Sequence, residues 1–229
     1  MKLLVATRNK KKLVELDRLL VAADIHGVEL LSLADVAEYE ERPEDGRTFA
    51  DNAFIKAFDG AEATGLPCLA DDSGLAVDEL NGMPGVLSAR WSGQHGDDMA
   101  NYSLLLAQMG DVPDERRTAA FCSACVLVVP NVESSESDAE PEVISVMGQW
   151  PGRVVRGPVG DEGFGYDPVF VPLEEDERIA AGRELETLGD LPRTAAQLAP
   201  AEKDSMSHRG RALAQLVPEI AALAARMNA

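Results

Sequence analysis

Cysteine is scarce in this sequence. Three cysteines are present among 229 residues, an odd number that supplies neither a disulfide framework nor the second pair of a zinc site. Cys122 and Cys125 lie in a predicted buried strand, where positions three apart face opposite sides of the sheet. We therefore expect no metal or redox role for this pair, and Cys68 stands alone.

A long apolar run is also missing. No segment approaches the ~20 apolar residues that span a bilayer. Met1 leads directly into the strand-like segment 2–6, without the layout of a signal peptide. We expect a cytoplasmic protein with no membrane partner. A length of 229 residues suits a single domain over 1–229 whose hydrophobic core needs no disulfides.

Positive charge is the third scarcity. Lysine and arginine number 21 against 40 acidic residues, and the formal net charge is −19. Because nucleic acid polymers require an extended basic surface, we exclude them as partners. The few places where cations cluster are therefore informative. They are the consecutive lysines at 10–12 and the group formed by His208, Arg209 and Arg211.

Hydrophobic periodicity predicts an α/β fold with a mixed sheet. Helices alternate with strands early in the chain, and long strands follow one another later. Leucines at helical spacing give the first and last helices one face each for the core, and Pro218 is expected to kink the last helix or end its first half. Strands are predicted at 2–6, 28–32, 67–71, 75–79, 117–129, 143–150 and 168–172, and helices at 10–23, 48–63, 98–109 and 207–227.

Two segments are predicted to be surface insertions. Residues 131–142 are acidic, serine-rich and without apolar periodicity, which is typical of a solvated hairpin loop. Residues 173–193 are likewise charged, although 179–188 could form a short surface helix. We expect neither segment to carry chemistry.

Two predicted helix starts are unusually basic. Thr7–Lys12 follows the first strand, and its lysines oppose the helix dipole, which favours anions at that end. A bound phosphate would supply the negative charge, and the free N–H groups of the turn could cradle it, although the glycine pattern of a P-loop is absent. Ser207 is a good N-cap for the last helix, again with His208 and Arg209 in the first turn. One polyanionic ligand would explain both; the alternatives are a solvated basic turn and, for His208, a structural histidine.

Carboxylates and aromatics mark three further segments. Asp71–Leu75 is predicted to be a turn that holds a metal or activates water, the alternative being an aspartate turn that hydrogen-bonds its own backbone. Gly163–Pro168 places two aromatics between glycines, which suits stacking on a base, unless the aromatics enter the core. Glu40–Gly46 either directs a carboxylate toward Asp72, where oxygen ligands would favour magnesium, or is a solvated loop.

Six segments follow one another along the chain: Thr-x-Asn-x-x-Lys near the start, Thr48–Ala53, Ala70–Leu75, Pro84–Arg90, Gly163–Pro168 and Ser207–Gly210. In this order they resemble the inosine triphosphatase family, whose members are XTP/dITP diphosphatases. The resemblance spans nearly the whole chain apart from the two insertions. It implies an elongated two-lobed fold around a long mixed β-sheet, with a nucleotide-binding cleft between the lobes. It also implies a homodimer and magnesium-dependent hydrolysis of ITP, dITP and XTP to the monophosphate and pyrophosphate, which removes them from the nucleotide pool.

The resemblance further implies roles for individual residues. Asp72 would be the general base and a metal ligand, with Glu44 as the second metal carboxylate and Glu41 as its close rival. Asp71 is expected to help hold the second charge or to raise one of the two aspartate pKa values. Triphosphate binding would fall to Thr7, Arg8, Asn9, Lys10, Lys11 and Lys12, and the nucleotide would be lined by Ser73, Phe164, Gly165, Tyr166, Asp167, Lys203, His208 and Arg209.

Base preference can be argued from hydrogen bonding. Hypoxanthine and xanthine carry an oxygen at C6 where adenine carries an amino group. Donors such as His208, Arg209 or the N–H groups of the aromatic turn would therefore favour the first two bases. Two alternatives stay open: a related pyrophosphatase that prefers modified pyrimidines, and a nucleotide-binding regulatory protein without turnover. The intact Asp71-Asp72-Ser73 argues against the second alternative.

Overall fold

The structure is a computed structural model that describes residues 1–131, 140–183 and 192–228, without the side chains of Lys10 and Lys11. Its strands are β1 Lys2–Val5, β2 Glu29–Leu31, β3 Cys68–Val77, β4 Met83–Pro84, β5 Thr118–Val129, β6 Glu142–Val154 and β7 Phe170–Pro172. Its helices are α1 Lys10–Ala22, α2 Phe49–Thr64, α3 Asp98–Gln108, α4 Leu173–Ala180, α5 Pro200–Met206 and α6 His208–Met227.

The strands of the described residues form one mixed sheet. Their order is β2-β1-β3-β5-β6-β7, and β4 pairs with β3. β1 runs parallel to β2 and β3, whereas β4 is antiparallel to β3 and β7 is antiparallel to β6. In register, Leu3 lies opposite Leu30, and Leu4 lies opposite Cys68. The predicted α/β class with a long mixed sheet is confirmed.

The chain divides into two compact units. Unit 1 comprises Met1–Asp72, Ser123–Gly148 and Arg209–Ala229. The predicted leucine faces of α1 and α6 are buried in its core, as helical spacing requires of an amphipathic helix. That core contains Leu3, Leu16, Leu20, Leu69, Leu127, Leu213, Leu216, Ile220 and Leu223.

Unit 2 comprises Ser73–Cys122 and Gln149–His208. Its core includes a group of packed aromatics: Phe121 meets Phe170 edge-on at 4.7 Å between ring centroids, and the Trp150 ring lies tilted at 5.5 Å from that of Phe170. Such aromatic contacts add to the stabilisation from buried area. The interpretation of 1–229 as one domain stays a prediction.

The segment around Asp71 and Asp72 differs from the prediction. β3 continues without interruption from Cys68 to Val77, so the predicted turn and the two separate strands are wrong. Gly74 does not mark a turn but a close approach, because a Cβ there would lie 2.3 Å from Ser88 Oγ and 2.7 Å from the Gly85 carbonyl oxygen. Asp71 and Asp72 can lie within the strand because other side chains of the protein contact their carboxylates.

Other boundaries also differ. α6 continues through Pro218 to Met227, so the proline does not end its first half. The second insertion begins with α4, which ends at Ala180, and much of the predicted helix 179–188 lies outside the described residues. Most of the first insertion, residues 132–139, also lies outside them. Within the described ranges, no helix is long and apolar enough to cross a membrane.

Candidate active site

Asp72 is the centre of a polar cluster in unit 1. One of its oxygens, Oδ2, accepts a hydrogen bond from Asn52 Nδ2 at 3.1 Å, and the other, Oδ1, contacts Lys56 Nζ at 3.3 Å. Burial raises the pKa of Asp72 above its ordinary value, although Lys56 and Asn52 oppose the shift. A carboxylate with a raised pKa is a better proton acceptor than an exposed aspartate.

The start of α2 fixes the two partners of Asp72. A capping box closes this end, in which Thr48 Oγ1 accepts the Asp51 N–H at 3.1 Å and Asp51 Oδ2 accepts the Thr48 N–H at 2.9 Å. Such a box satisfies two backbone donors that a helix start otherwise leaves open. Asn52 and Lys56 follow one turn apart and therefore share a face of the helix.

The preceding loop is tied to the same helix. Gly46 donates its N–H to Asn52 Oδ1 at 2.8 Å. A Cβ at Gly46 would lie 2.7 Å from that oxygen and 2.5 Å from the Cβ of Asp51, so the approach needs glycine. Asn52 thus bonds both the loop that carries Glu44 and the side chain of Asp72.

Glu44 and Glu41 have different surroundings. Glu44 Oε2 lies 3.3 Å from Lys56 Nζ, the same ammonium that contacts Asp72. Burial opposes the charge on Lys56, but Asp72 and Glu44 outweigh it and raise the lysine pKa. Glu41 instead forms an exposed ion pair with Arg8. Of the two candidate ligands, only Glu44 shares a cation with Asp72.

The donor set around Lys56 fits a divalent cation of the magnesium type. Asp72 and Glu44 already converge on one positive charge, and both offer hard carboxylate oxygens. Across the residues described, no group of three or more His, Cys, Asp or Glu side chains forms a ready metal cage. Magnesium is usually held by one or two carboxylates together with substrate phosphates.

Asp71 points away from Asp72 and has its own partners. Lys12 Nζ contacts both of its oxygens, at 2.7 and 2.8 Å, and Arg209 Nε donates to Oδ2 at 3.1 Å. Burial opposes ionisation of Asp71, but Lys12 and Arg209 overcome it and hold its pKa well below the ordinary value. Because successive side chains of a strand face opposite sides, the two aspartates have different partners. One of the two pKa values, that of Asp72, is raised, with burial and not Asp71 as its largest cause; a role for Asp71 in holding the second charge stays a prediction.

The basic segment Thr7–Lys12 ends at Lys12, one of the partners of Asp71. α1 begins at Lys10 and has no acidic residue in its first turn, as predicted. Thr7 is buried, and its Oγ1 accepts the Asn9 N–H at 3.1 Å. Arg8 is exposed and turned to Glu41. The structure thus forms the predicted basic helix start, with Lys12 already committed to Asp71.

The aromatic turn lies in unit 2 and separates its two aromatics. Phe164 is 56% exposed, whereas Tyr166 is 3% exposed and donates its hydroxyl hydrogen to the Ser88 carbonyl at 2.9 Å. The stacking interpretation therefore fits Phe164, and the core interpretation fits Tyr166. Ser73, which opens the unit 2 part of β3, is half-buried.

Lys203 and Asp167 flank the exposed ring. Lys203 forms an ion pair with Asp167 and lies over the Phe164 ring, 5.3 Å from its centroid. The backbone of the turn is held by carboxylates: Phe164 N donates to Asp167 Oδ2 at 2.8 Å, and Gly165 N donates to Asp98 Oδ2 at 2.7 Å. Both N–H groups therefore already have acceptors, one within the turn and one on α3.

His208 begins α6 after Ser207, whose backbone is extended with φ −66° and ψ 158°. The imidazole is buried and stacks on Phe121, with 5.0 Å between centroids and 14° between planes. Burial and stacking on Phe121 fit the alternative in which His208 is a structural histidine.

Comparison with known proteins decides the family. The sequence pattern of the Ham1 family matches residues 3–219. The chain belongs to the Ham1 family. It is 59% identical over 218 residues to a dITP/XTP pyrophosphatase of Mycobacteroides abscessus, with 95% of this chain and 94% of the relative covered.

Solved structures agree with this assignment. The crystal structure of a nucleoside-triphosphatase / dITP/XTP pyrophosphatase from Mycobacterium abscessus superimposes with a TM-score of 0.74 at 57% identity, covering 96% of this chain and 100% of that one. A HAM1 protein from Coxiella burnetii gives a TM-score of 0.76 at 35% identity over 96% and 98% of the two chains. The predicted family is confirmed, and with it the prediction of an enzyme.

Two residues of the candidate site, Asn52 and Lys56, were not among the site residues predicted from the sequence. A signal was present. The α2 segment Phe49–Thr64 is rich in alanine and phenylalanine, and an asparagine and a lysine four residues apart put two polar groups on one helix face. Their connection to Asp72 could not be read from that pattern, because it joins positions 16 to 20 residues apart in sequence.

Proposed function

We propose that this chain hydrolyses dITP, XTP and ITP to the nucleoside monophosphate and pyrophosphate with Mg²⁺, which removes deaminated purine nucleotides from the pool. The observation that carries the proposal is the convergence of Asp72 and Glu44 on a single cation, Lys56 Nζ, at 3.3 Å each. The dITP/XTP pyrophosphatases that resemble this chain over almost its whole length support the same reaction.

In the proposed reaction, water adds across the bond between the α- and β-phosphates. The water oxygen forms the new bond to phosphorus, the bridging oxygen leaves with pyrophosphate, and Asp72 accepts the proton of the water. Asn52 and Lys56 contact both oxygens of Asp72 and would orient the carboxylate for this task. Asp72 and Glu44 would hold magnesium, which when bound would neutralise phosphate charge and lower the pKa of water.

The basic residues of unit 1 would bind the triphosphate. Thr7–Lys12 offers the N–H groups of a helix start together with its cations, and Arg209 is a second source of charge. Lys12 and Arg209 both contact Asp71, so Asp71 would keep them oriented while phosphate oxygens occupy their other donors. Lys56 would exchange part of its contact with Asp72 and Glu44 for substrate phosphate.

The residues of unit 2 would contact the base. Phe164 offers an exposed ring for stacking, and Lys203 offers donors beside it. An ammonium donor favours the C6 oxygen of hypoxanthine or xanthine over the amino group of adenine. The Asp167 carboxylate accepts hydrogen bonds from Lys203 and from the Phe164 N–H, and so would keep both groups in place.

The test is pyrophosphate release from ITP, XTP, dITP, GTP, ATP and dUTP, with magnesium or with EDTA. We expect release from the deaminated purines, lost with EDTA and reduced by about 10³-fold or more in Asp72→Asn, because the proton acceptor is removed. Glu44→Gln should raise the magnesium concentration that gives half-maximal activity. Glu41→Gln and Asp45→Asn, two exposed acids of the same loop, should leave it unchanged.

Other outcomes would redirect the proposal. Preference for dUTP would keep the mechanism and reject the base assignment. Binding of ITP without pyrophosphate release would favour a regulatory nucleotide-binding protein. A larger effect of Glu41→Gln than of Glu44→Gln would move the second metal carboxylate to Glu41. The homodimer and the cytoplasmic location stay predictions.

A further inference from the structure

A buried ion cluster in unit 2 has no part in the proposed chemistry. Glu175 on α4 is 3% exposed. It accepts hydrogen bonds from Arg178 at 2.9 and 3.1 Å, and from the backbone and guanidinium of Arg193 at 2.6 to 3.1 Å. Burial opposes ionisation of Glu175, but the bonds from the two arginines lower its pKa to about 2.

Arg193 extends the cluster from α4 to α5. Its guanidinium bonds Glu202 Oε1 at 2.6 Å and Oε2 at 3.0 Å, while it also bonds Glu175. Glu202 lies in α5, a helix of seven residues, next to Lys203. Arg193 therefore clamps together one carboxylate of each helix.

The backbone of Arg193 is itself well anchored. The next residue, Thr194, is buried and donates its hydroxyl hydrogen to the Val159 carbonyl at 2.6 Å, and it forms a capping box with Gln197. Ala195 and Ala196, which follow, are each 1% exposed. Arg193 is thus followed by backbone that is buried and hydrogen-bonded in unit 2 independently of α5.

Stability is a poor explanation for such a cluster. Buried ion pairs lose much of their attraction to desolvation, and well-packed apolar residues are often as stabilising. What a bidentate arginine does provide is a fixed geometry between the groups it joins. The group beside this clamp is Lys203, whose ammonium pairs with Asp167 and lies over the Phe164 ring.

We propose that Arg193, held by Glu175, is a positioning residue for Lys203: through Glu202 it fixes α5 and thereby sets the affinity for the purine base. The inference rests on the proposed function, in which Lys203 contacts the base. It assigns the second insertion a role in nucleotide recognition, since both Glu175 and Arg193 lie within residues 173–193.

A double-mutant cycle tests the link. Arg193→Gln, Lys203→Met and the double variant are compared for kcat and KM with dITP, and for dIMP affinity by calorimetry. We expect Arg193→Gln to raise KM and weaken dIMP binding about tenfold with kcat nearly unchanged, and to add nothing once Lys203 is removed, because residues acting through one contact are not additive. Additive effects in the double variant would overturn the proposal.

The chain offers a matched control on the same helix. Asp176 on α4 pairs with Arg153 at 3.1 Å, and both side chains are partly exposed. Asp176→Asn should leave KM and dIMP affinity unchanged, because exposed pairs contribute little. A lower melting temperature for Arg193→Gln with unchanged KM and dIMP affinity would show a structural role only and overturn the proposal. If Arg193→Gln does not fold, the near-isosteric Glu202→Gln breaks the same clamp and decides the question.

The readouts keep the two proposals apart. Binding of dIMP needs no turnover, so it reports on Lys203 even if dITP is not hydrolysed. Wild-type protein that binds dIMP without releasing pyrophosphate from dITP would reject the proposed function and leave the clamp testable. Wild-type hydrolysis with an Arg193→Gln variant that binds dIMP normally would reject the clamp alone.

Discussion

Asn52 shows how one buried side chain can serve two parts of a site. It is 1% exposed, its amide group donates to Asp72, and its carbonyl oxygen accepts the Gly46 N–H. Asn52→Leu removes both bonds and leaves a carboxylate and a backbone donor without their partner. We expect a loss of about 1–3 kcal/mol in unfolding free energy, and a lower kcat together with weaker Mn²⁺ binding, measured by electron paramagnetic resonance.

Asn101 is the control for this prediction. It is also 1% exposed, and its Oδ1 accepts the Ser92 N–H at 2.7 Å in unit 2. Asn101→Leu should destabilise the protein by a similar amount while Mn²⁺ affinity is unchanged. If both variants weaken Mn²⁺ binding equally, the effect of Asn52 is a general loss of folding and not the positioning of Asp72 and the Glu44 loop.

Asp71 provides a second prediction at the same scale. Its carboxylate is buried, and Lys12 is its bidentate partner. Lys12→Met leaves a buried charge with Arg209 alone, and we expect a loss of about 3 kcal/mol in urea unfolding, because removing one partner of a buried pair strands the other. Arg226→Met, which breaks the exposed pair with Glu142, should cost under ~1 kcal/mol. Equal losses would show that Asp71 is well solvated.

At the scale of the element, the sequence predicts helices better than it predicts β3. The spacing of leucines in α1 and α6 identifies their buried faces, because the helical repeat relates residues that are close together in the sequence. The composition Asp-Asp-Ser-Gly indicates a turn by the same local logic. It fails because the partners that keep these carboxylates in a strand, Lys12, Asn52, Lys56 and Arg209, come from distant parts of the chain.

The same limit applies to the candidate site. The basic helix starts and Asp72 could be predicted from residue type and order. The choice between Glu44 and Glu41 could not, because both lie in one acidic loop and only the position of Lys56 separates them. The aromatic turn was likewise ambiguous, since burial of Tyr166 depends on a bond to Ser88.

Glu175 on α4 should make the free energy of unfolding depend on pH in the acid range. The pKa of Glu175 is lowered to about 2 in the folded protein, against ~4.3 in an unfolded chain. The unfolded state therefore binds more protons between these values, so the contribution of Glu175 is fully present above pH ~4.3 and is lost as pH falls toward 2. Glu175→Gln should flatten this acid limb of the unfolding free energy, measured by urea titration at several pH values.

Asp176→Asn on the same helix is the comparison, because its pair with Arg153 is partly exposed. The fall of its unfolding free energy at acid pH should be the same as in the wild-type protein. A wild-type slope in both variants would mean that Glu175 gains little from Arg178 and Arg193, and that its burial is not compensated as the hydrogen bonds suggest.

At the scale of the whole molecule, the net negative charge of the protein should repel the proposed substrate, which is an anion. The chain has a formal net charge of −19, and a magnesium-bound triphosphate is also negative. The described cations are already neutralised in part within each unit. In unit 1, Lys12 and Arg209 contact Asp71, and Lys56 contacts Asp72 and Glu44. In unit 2, Lys203 contacts Asp167. From the net charge we therefore expect the long-range field to repel an approaching nucleotide.

Salt should consequently favour association. The screening length falls from ~30 Å at 0.01 M to ~8 Å at 0.15 M, so added salt removes the distant repulsion before it weakens contacts within the site. We expect kcat/KM for dITP to rise roughly twofold to threefold over this range at fixed free magnesium. Sucrose at matched osmolality should have no such effect. A steady fall of kcat/KM with salt would show instead that the basic helix starts attract the triphosphate more strongly than the acidic chain repels it.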